Sequence, residues 1–356
     1  MIKKSVQNYT GCLLGGAIGD ALGAPIEFNS LDLILQDYGK KGVVDFIEYK
    51  DGIGAFTDDT QMLLFTSEGL LRGIHKAYET GTPVDYVSAC YQSYLRWLIT
   101  QNSTYSTNAD IEAPKDGWIF QQQFLHKQRA PGTTCLSSLR SKDCGSIINP
   151  INDSKGCGGI MRIAPVGLIN LPDAETAFRV GAELAAITHG HPSGYLSAGC
   201  FASIIHLINQ GESLMDAINT TIDLLVKCPM HGETLTAIEK AIDLYKEGTP
   251  DYYKLENLGG GWTGEEALSI SIYAALCFPN NFEDAVNLSA NHSGDCDSTA
   301  SLTGNLIGLI VGEENIPDKW KNNLRHADFI RQVAIDLHTE LDIERLDEWR
   351  QKYPAN

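Results

Sequence analysis

Apolar residues return every three or four positions along most of this chain. That spacing predicts helices over 87–98, 177–187, 195–208, 214–226, 235–244, 267–276 and 329–337. Capping and breaking residues divide them: Thr82-Pro83, Pro172-Asp173, Pro192-Ser193, Thr249-Pro250 and Pro279. Alternation of the strand kind is scarce, and 43–49 is the best candidate, as one arm of a hairpin. The pattern gives an all-α chain of roughly a dozen helices. No low-complexity segment or linker marks a domain boundary. Residues 101–152 are the least regular and read as surface loops, where binding residues often sit.

Two segments carry glycine at every fourth position: Gly11, Gly15, Gly19 and Gly23, then Gly304, Gly308 and Gly312. Each helical glycine costs about 1 kcal/mol against alanine. A row on one face is tolerable where it lets another helix come close. The flanks are too polar for a membrane dimer, so a tightly packed central helix pair is expected.

Each glycine segment adjoins an acidic cluster. The first cluster is Phe56-Thr57-Asp58-Asp59-Thr60-Gln61-Met62 and the second is Ser293-Gly294-Asp295-Cys296-Asp297-Ser298-Thr299. Both open an apolar helical run. Helix capping would explain either one alone: Asp58-x-x-Gln61 has the form of a capping box, and Ser293 or Asp295 could cap the second helix. A cap uses one acceptor, however, and each cluster offers two acids with hydroxyls beside them. Hard divalent cations such as Mg²⁺ and Mn²⁺ use that excess of oxygen donors. Two converging helix starts would also favour an anion, such as a phosphate, beside the metals.

Other segments carry weaker signals. Glu27 follows Pro25 at the end of the first glycine helix, as either a surface carboxylate or a group beside the metals. Ser154-Lys155-Gly156-Cys157-Gly158-Gly159 is a glycine-rich turn before an apolar run, and it lacks the phosphate-loop lysine position. Thr188-His189-Gly190-His191 has no third zinc ligand at the usual spacing, so hydrogen bonding is expected of it. Gly259-Gly260-Gly261-Trp262-Thr263-Gly264 is either a mobile lid or a turn around a core tryptophan.

Composition narrows the class. In 356 residues, 43% are hydrophobic and 20% charged, as in ordinary globular proteins. The formal charge of −18 argues against a grip on nucleic acid. Nine scattered cysteines without a Cys-x-x-Cys pair read as reduced thiols of a cytoplasmic protein. The amino-terminal stretch has no clean signal-cleavage site, and no apolar run is long enough to span a membrane.

Six stretches together resemble one family. They are 11–28 (GCLLGGAIGDALGAPIEF), 56–62 (FTDDTQM), 129–134 (RAPGTT), 155–167 (KGCGGIMRIAPVG), 188–195 (THGHPSGY) and 294–305 (GDCDSTASLTGN). In this order they resemble the ADP-ribosylglycohydrolases, the group of the dinitrogenase reductase-activating glycohydrolase and the ADP-ribosyl-acceptor hydrolases. The resemblance implies a single domain over 1–356 with its motifs in 10–312. It also implies an orthogonal multi-helix bundle with a binuclear Mg²⁺ or Mn²⁺ centre at converging helix N-termini. By motif position, the implied ligands are Thr57, Asp58, Asp59, Asp295, Asp297 and Ser298, the last where the family often has threonine. Glu27 matches the glutamate beside the metals, and it or Asp59 would be the catalytic base. Ser154, Gly156, Cys157, Gly158 and His189 match the substrate pocket, with Cys157 where some members have asparagine. Trp262 is the aromatic candidate for the same pocket.

The resemblance implies an ADP-ribosylated protein as substrate. The motifs look more like those of arginine-directed than serine-directed members. Rival readings are hydrolysis of a serine or O-acetyl-ADP-ribose linkage, and an immunity protein that also binds a cognate ADP-ribosylating toxin. In that case residues 1–9 and 101–152 would touch the partner. A retired enzyme kept as a structural protein is disfavoured by the intact acids.

Overall fold

The computed structural model describes residues 4–101 and 113–355. Among these residues it contains seventeen α-helices, four short 3₁₀ turns and no strand. Every helix expected from periodicity forms, most of them longer than the apolar run and two ending one residue early: Tyr86–Thr100, Ala174–Ala186, Pro192–Asn209, Leu214–Leu225, Gly232–Lys246, Gly264–Cys277 and Ala327–Thr339. The surplus over a dozen comes from helices of four to eight residues, such as Leu31–Tyr38, Thr133–Arg140 and Asp318–Lys321. Two turns or fewer show no period to read.

The glycine helices Val6–Gly23 and Cys296–Val311 lie against each other, antiparallel, at the centre. Their backbones touch. A Cβ on Gly11 would stand 2.3 Å from the Gly308 carbonyl oxygen, and one on Gly15 2.3 Å from that of Gly304. The reverse holds for Gly304 and Gly308, at 2.0 Å from the carbonyls of Gly15 and Gly11. Side-chain amides fasten the pair: Asn8 donates to the Leu309 carbonyl at 2.9 Å and Asn305 to the Cys12 carbonyl at 2.8 Å. The antiparallel sense matters for the site. Gly23, at the end of the first helix, meets the backbone of Cys296 and Asp297, at the start of the second.

The remaining helices pack around this pair over one contiguous apolar core that runs from Tyr9 to Tyr353. Asp58–Thr80 lies beside Tyr86–Thr100, and Ala174–Ala186 beside Pro192–Asn209.

The expected strand at 43–49 does not form. Asn291 takes the place of a partner strand: its Oδ1 accepts from the Val43 N–H at 2.7 Å and its Nδ2 donates to the Val43 carbonyl at 3.0 Å. Lys319 donates to the Val44 carbonyl at 3.0 Å. The extended backbone is satisfied by side chains, so no hairpin is needed. Of the irregular stretch 101–152, residues 102–112 lie outside the described residues, as do 1–3 at the amino end.

Candidate metal centre

The end of the first helix gathers both acidic clusters. Asp20, one turn before that end, is fully buried and its carboxylate faces the start of the Asp58–Thr80 helix. It accepts from the Thr57 N–H at 2.8 Å, the Thr60 N–H at 3.1 Å and the Thr60 hydroxyl at 2.6 Å. These bonds fix the turn that carries Asp58 and Asp59. The Asp58 N–H donates to the Arg129 carbonyl at 2.9 Å, and its Oδ2 accepts from the Gly132 N–H at 3.1 Å.

Thr57 is the cap of this helix, its hydroxyl accepting from the Asp59 N–H at 3.3 Å. The capping box expected from Asp58 and Gln61 is absent. Gln61 instead accepts from Trp97 and Gln101 and donates to the Lys127 carbonyl, inside the core. With the cap supplied by Thr57, both aspartates are left over, each at a helix N-terminus that favours negative charge.

At the second helix, Asp295 is the cap and its Oδ1 accepts from the Ser298 N–H at 3.2 Å. Ser293 does not cap this helix; its hydroxyl accepts from the Leu31 N–H at 2.8 Å. The two clusters then join directly. The Ser298 hydroxyl donates to Asp59 Oδ2 at 2.9 Å. Glu27, in the turn after the first helix, brings a carboxylate oxygen within 4.8 Å of one oxygen each from Asp295 and Asp297.

Burial and mutual repulsion act on all these acids in one direction. The Glu27 carboxyl is pushed up to about 8, first by burial and then by Asp295 and Asp20. Burial, with neighbouring aspartates, also raises Asp58, Asp59 and Asp297 well above the usual carboxylate range. Like charges this close are relieved by protons or by a cation. The carboxylates and hydroxyls are hard oxygen donors, and they fit a divalent ion.

Above these acids lies a cleft of about 360 Å³, with Glu27, Asp58, Asp59, Asp295, Asp297 and Ser298 on its wall. The segment from Ala130 to Cys135 closes one side, drawn from the irregular stretch of the sequence. Gly156, Cys157, Gly158 and His189 form another side, and Trp262 stands at the rim with Phe28. A larger hollow, about 660 Å³, lies elsewhere against Lys40, Tyr252 and Glu283. Glu283 there pairs with Lys319. Among the described residues, the carboxylate trio close enough to share an ion belongs to the smaller cleft.

The apolar run after the glycine turn does not begin as an α-helix. Cys157–Gly159 is a single 3₁₀ turn, and the next helix, Ala164–Leu168, starts later. The turn is tied to the Trp262 loop instead: the Cys157 N–H donates to the Trp262 carbonyl at 3.1 Å and the Gly264 N–H to the Lys155 carbonyl at 2.8 Å. Lys155 reinforces this through Glu265 at 2.6 Å and Glu233 at 3.0 Å. The Cys157 thiol donates to Asp295 Oδ2 at 2.8 Å.

His189 is buried and held neutral, pushed down to about 3 by burial and by the charge of Arg162. Arg162 donates to the Thr188 hydroxyl at 2.6 Å, and that hydroxyl lies 2.8 Å from His189 Nδ1. A threonine proton given to Nδ1 leaves Nε2–H as a donor on the side of Gly156 and Gly158.

Thr57 and Ser154 are not on the cleft wall. Thr57 sits beneath its own helix start. Ser154 stands behind the glycine turn, its hydroxyl 3.1 Å from that of Thr134.

Trp262 is neither a core residue nor a free lid. Its ring, 41% exposed, stacks on Phe28 with centroids 5.0 Å apart. Phe28 is 74% exposed and has φ of 72°, a region that bulky side chains avoid. Sequence reasoning missed Phe28 and Asp20 as parts of the site. Asp20 left a readable trace, as a lone carboxylate within an apolar, glycine-ridged helix. Phe28 left none, because its exposure comes from a local left-handed turn.

The family model described as ADP-ribosylglycohydrolase matches residues 2–346. The chain is similar to the ADP-ribosylarginine hydrolase Tri1 of Pseudomonas putida, 23% identical, with 94% of this chain and 79% of that protein covered. It is also similar to the ADP-ribosylhydrolase ARH3 of Gallus gallus, 23% identical over 93% of this chain and 92% of that one. In fold it is similar to a solved ADP-ribosylglycohydrolase-related protein complex, with a TM-score of 0.63 at 21% identity, covering 94% of this chain and 98% of the other.

Proposed function

Because the chain belongs to the ADP-ribosylglycohydrolase family, we propose that it removes ADP-ribose from modified protein arginine by metal-dependent hydrolysis. One observation carries the reading. The hydrogen bond from Ser298 to Asp59 joins two acid clusters, distant in the chain, in a single cleft.

Two divalent ions, Mg²⁺ or Mn²⁺, held by Thr57, Asp58, Asp59, Asp295, Asp297 and Ser298, would supply a water of lowered pKa near neutral pH. Glu27 or Asp59 takes the proton of the attacking water as general base. Glu27 suits that task by position, since its carboxylate lies within 4.8 Å of an oxygen each from Asp295 and Asp297. The carboxylate ring stabilises the positive charge that develops at the anomeric carbon. Gly156, Cys157, Gly158 and the Nε2–H of His189 hold the ADP-ribose against the acids, and Ser154 fixes the shape of their turn.

Charge supports arginine as the acceptor. A guanidinium is planar and cationic, and the half-buried Glu27 carboxylate with the exposed rings of Trp262 and Phe28 would suit it. A serine acceptor gains nothing from either.

The test is release of ADP-ribose from arginine-modified and serine-modified peptides. Arginine-modified peptide is expected to be the better substrate, with activity abolished by a chelator and restored by Mg²⁺ or Mn²⁺. Asp297→Ala is expected to lower turnover by about 10²-fold or more with the fold retained. Preference for the serine linkage would reassign the acceptor. Full activity in chelator would remove the metals from the reaction.

A further inference from the structure

A separate hollow, of about 510 Å³, opens between the helices Asp58–Thr80 and Tyr86–Thr100 and the turn that joins them. It is remote from the acidic cleft: Arg72 on its wall follows Asp59 along the same helix by roughly 20 Å. Three cations line it, Arg72, Lys76 and Arg96, in a chain whose formal charge is −18. The carboxylate on its wall, Asp85, is the cap of the second helix, and its Oδ1 accepts from the Ser88 N–H at 3.0 Å.

Arg96 is the informative cation. Its side chain is 1% exposed, and its Nε donates to Glu68 Oε2 at 2.9 Å. Glu68 is fully buried, accepts from the Ser93 hydroxyl at 2.5 Å and lies 3.4 Å from Arg72 Nε. One carboxylate thus stands between two guanidiniums, and Asp116 beside it pairs with Arg72 at 2.6 Å. Arg96 Nη1 and Nη2 are buried without a hydrogen-bond partner. Those two nitrogens form the edge by which a guanidinium grips an oxyanion through parallel bonds. Leaving them unmatched costs free energy. Burial holds the Arg96 guanidinium below its ordinary value; Glu68 opposes this, and the charge of Arg72 adds to it. An anion at the open edge relieves both the unmatched donors and the crowded positive charge.

We propose that this hollow binds a phosphate group, free or on a small metabolite, through the Nη edge of Arg96, with Lys76, Ser88 and Gln92 as further donors. Lys76 is exposed and makes no ion pair among the described residues, so its ammonium is free to close over an anion. Three cations suit a dianion better than a carboxylate, and a phosphate has oxygens enough to meet Arg96 and Lys76 together. No aromatic ring lies on the described wall, so a nucleobase would find nothing to stack on. Any organic part is therefore small and polar.

The test is calorimetry on the full chain in chelator at fixed ionic strength, with inorganic phosphate and glycerol 3-phosphate as titrants and acetate as control. One phosphate site is expected, with acetate bound about tenfold or more weakly. Lys76→Ala is expected to weaken phosphate binding about three- to tenfold and Arg96→Gln about tenfold or more, with circular dichroism confirming each fold. Should Arg96→Gln fail to fold, the surface variant Lys76→Ala decides alone. Tighter binding of glycerol 3-phosphate supports the site and identifies a phosphorylated metabolite as its ligand; equal or weaker binding supports it with free phosphate. Failure of both phosphates to bind at millimolar concentration overturns the site. So does acetate binding as tightly as phosphate, or phosphate binding that either folded variant leaves unchanged.

Discussion

Glu27 and Asp20 stand on either side of one helix end and are both raised by burial, to about 8 and about 6. A carboxyl raised in the folded state binds a proton that the unfolded chain has already lost. Its contribution to stability is complete at acid pH and fades as pH rises through the folded value. His189 and His292, depressed by burial to about 3 and about 4, act oppositely, but their effect is complete above 6.5. Between pH 6.5 and 8 the raised acids dominate. The metal-free protein is therefore expected to lose thermal stability across that window, and Glu27→Gln to flatten the loss. A scanning-fluorimetry series in chelator measures it, and a melting point that climbs with pH there would count against the assignment. Asp20→Asn probes the other carboxyl. An amide must turn a donor toward the Thr57 and Thr60 donors, which costs about 1–3 kcal/mol. Loosening the turn beneath Asp58 and Asp59 is expected to weaken Mn²⁺ binding about 10–100-fold by calorimetry.

At the scale of elements, the glycine helices decide where the acids go. Gly15→Ala drives a methyl into the Gly304 carbonyl, so a loss of about 1–3 kcal/mol in denaturant unfolding is expected. Gly232→Ala, at an open helix start with nothing within 4 Å, is expected to gain about 0.4–1 kcal/mol. Equal effects at both positions would mean the central contact is not tight. The same glycines were legible in the sequence, as were the long helices, because a four-residue row and an apolar period both survive in one dimension. Both acid clusters were legible as excess donors at helix starts. Their meeting was expected from converging helix starts and from the family resemblance, but the bond from Ser298 to Asp59 was not, since it depends on the antiparallel sense of two helices far apart in the chain. The false strand at 43–49 has the same origin: the partner that replaces a hairpin is Asn291, more than two hundred residues on, by side chain alone. Short helices failed for want of a period, and Phe28 for want of any local signal.

For the whole molecule, the acidic balance of −18 becomes intelligible around the cleft. In the proposed reaction a negative field would draw cations, both metal ions and a guanidinium leaving group, while the phosphates of ADP-ribose would need the local helix starts and the glycine turn. No helix of the described residues is long and apolar enough to cross a membrane. If the chain folds as the single domain proposed from its sequence, heating should give one cooperative transition. Added Mn²⁺ should raise that transition as a whole, since an ion that binds only the folded state stabilises all of it.

The most direct measurement of the central claim is anomalous scattering from crystals of the full chain grown with Mn²⁺. Two manganese peaks are predicted, bounded by Asp58, Asp59, Asp295 and Asp297, and both lost in Asp297→Ala crystals. Peaks away from these carboxylates, or a cleft that stays free of manganese at saturating concentration, would contradict the account.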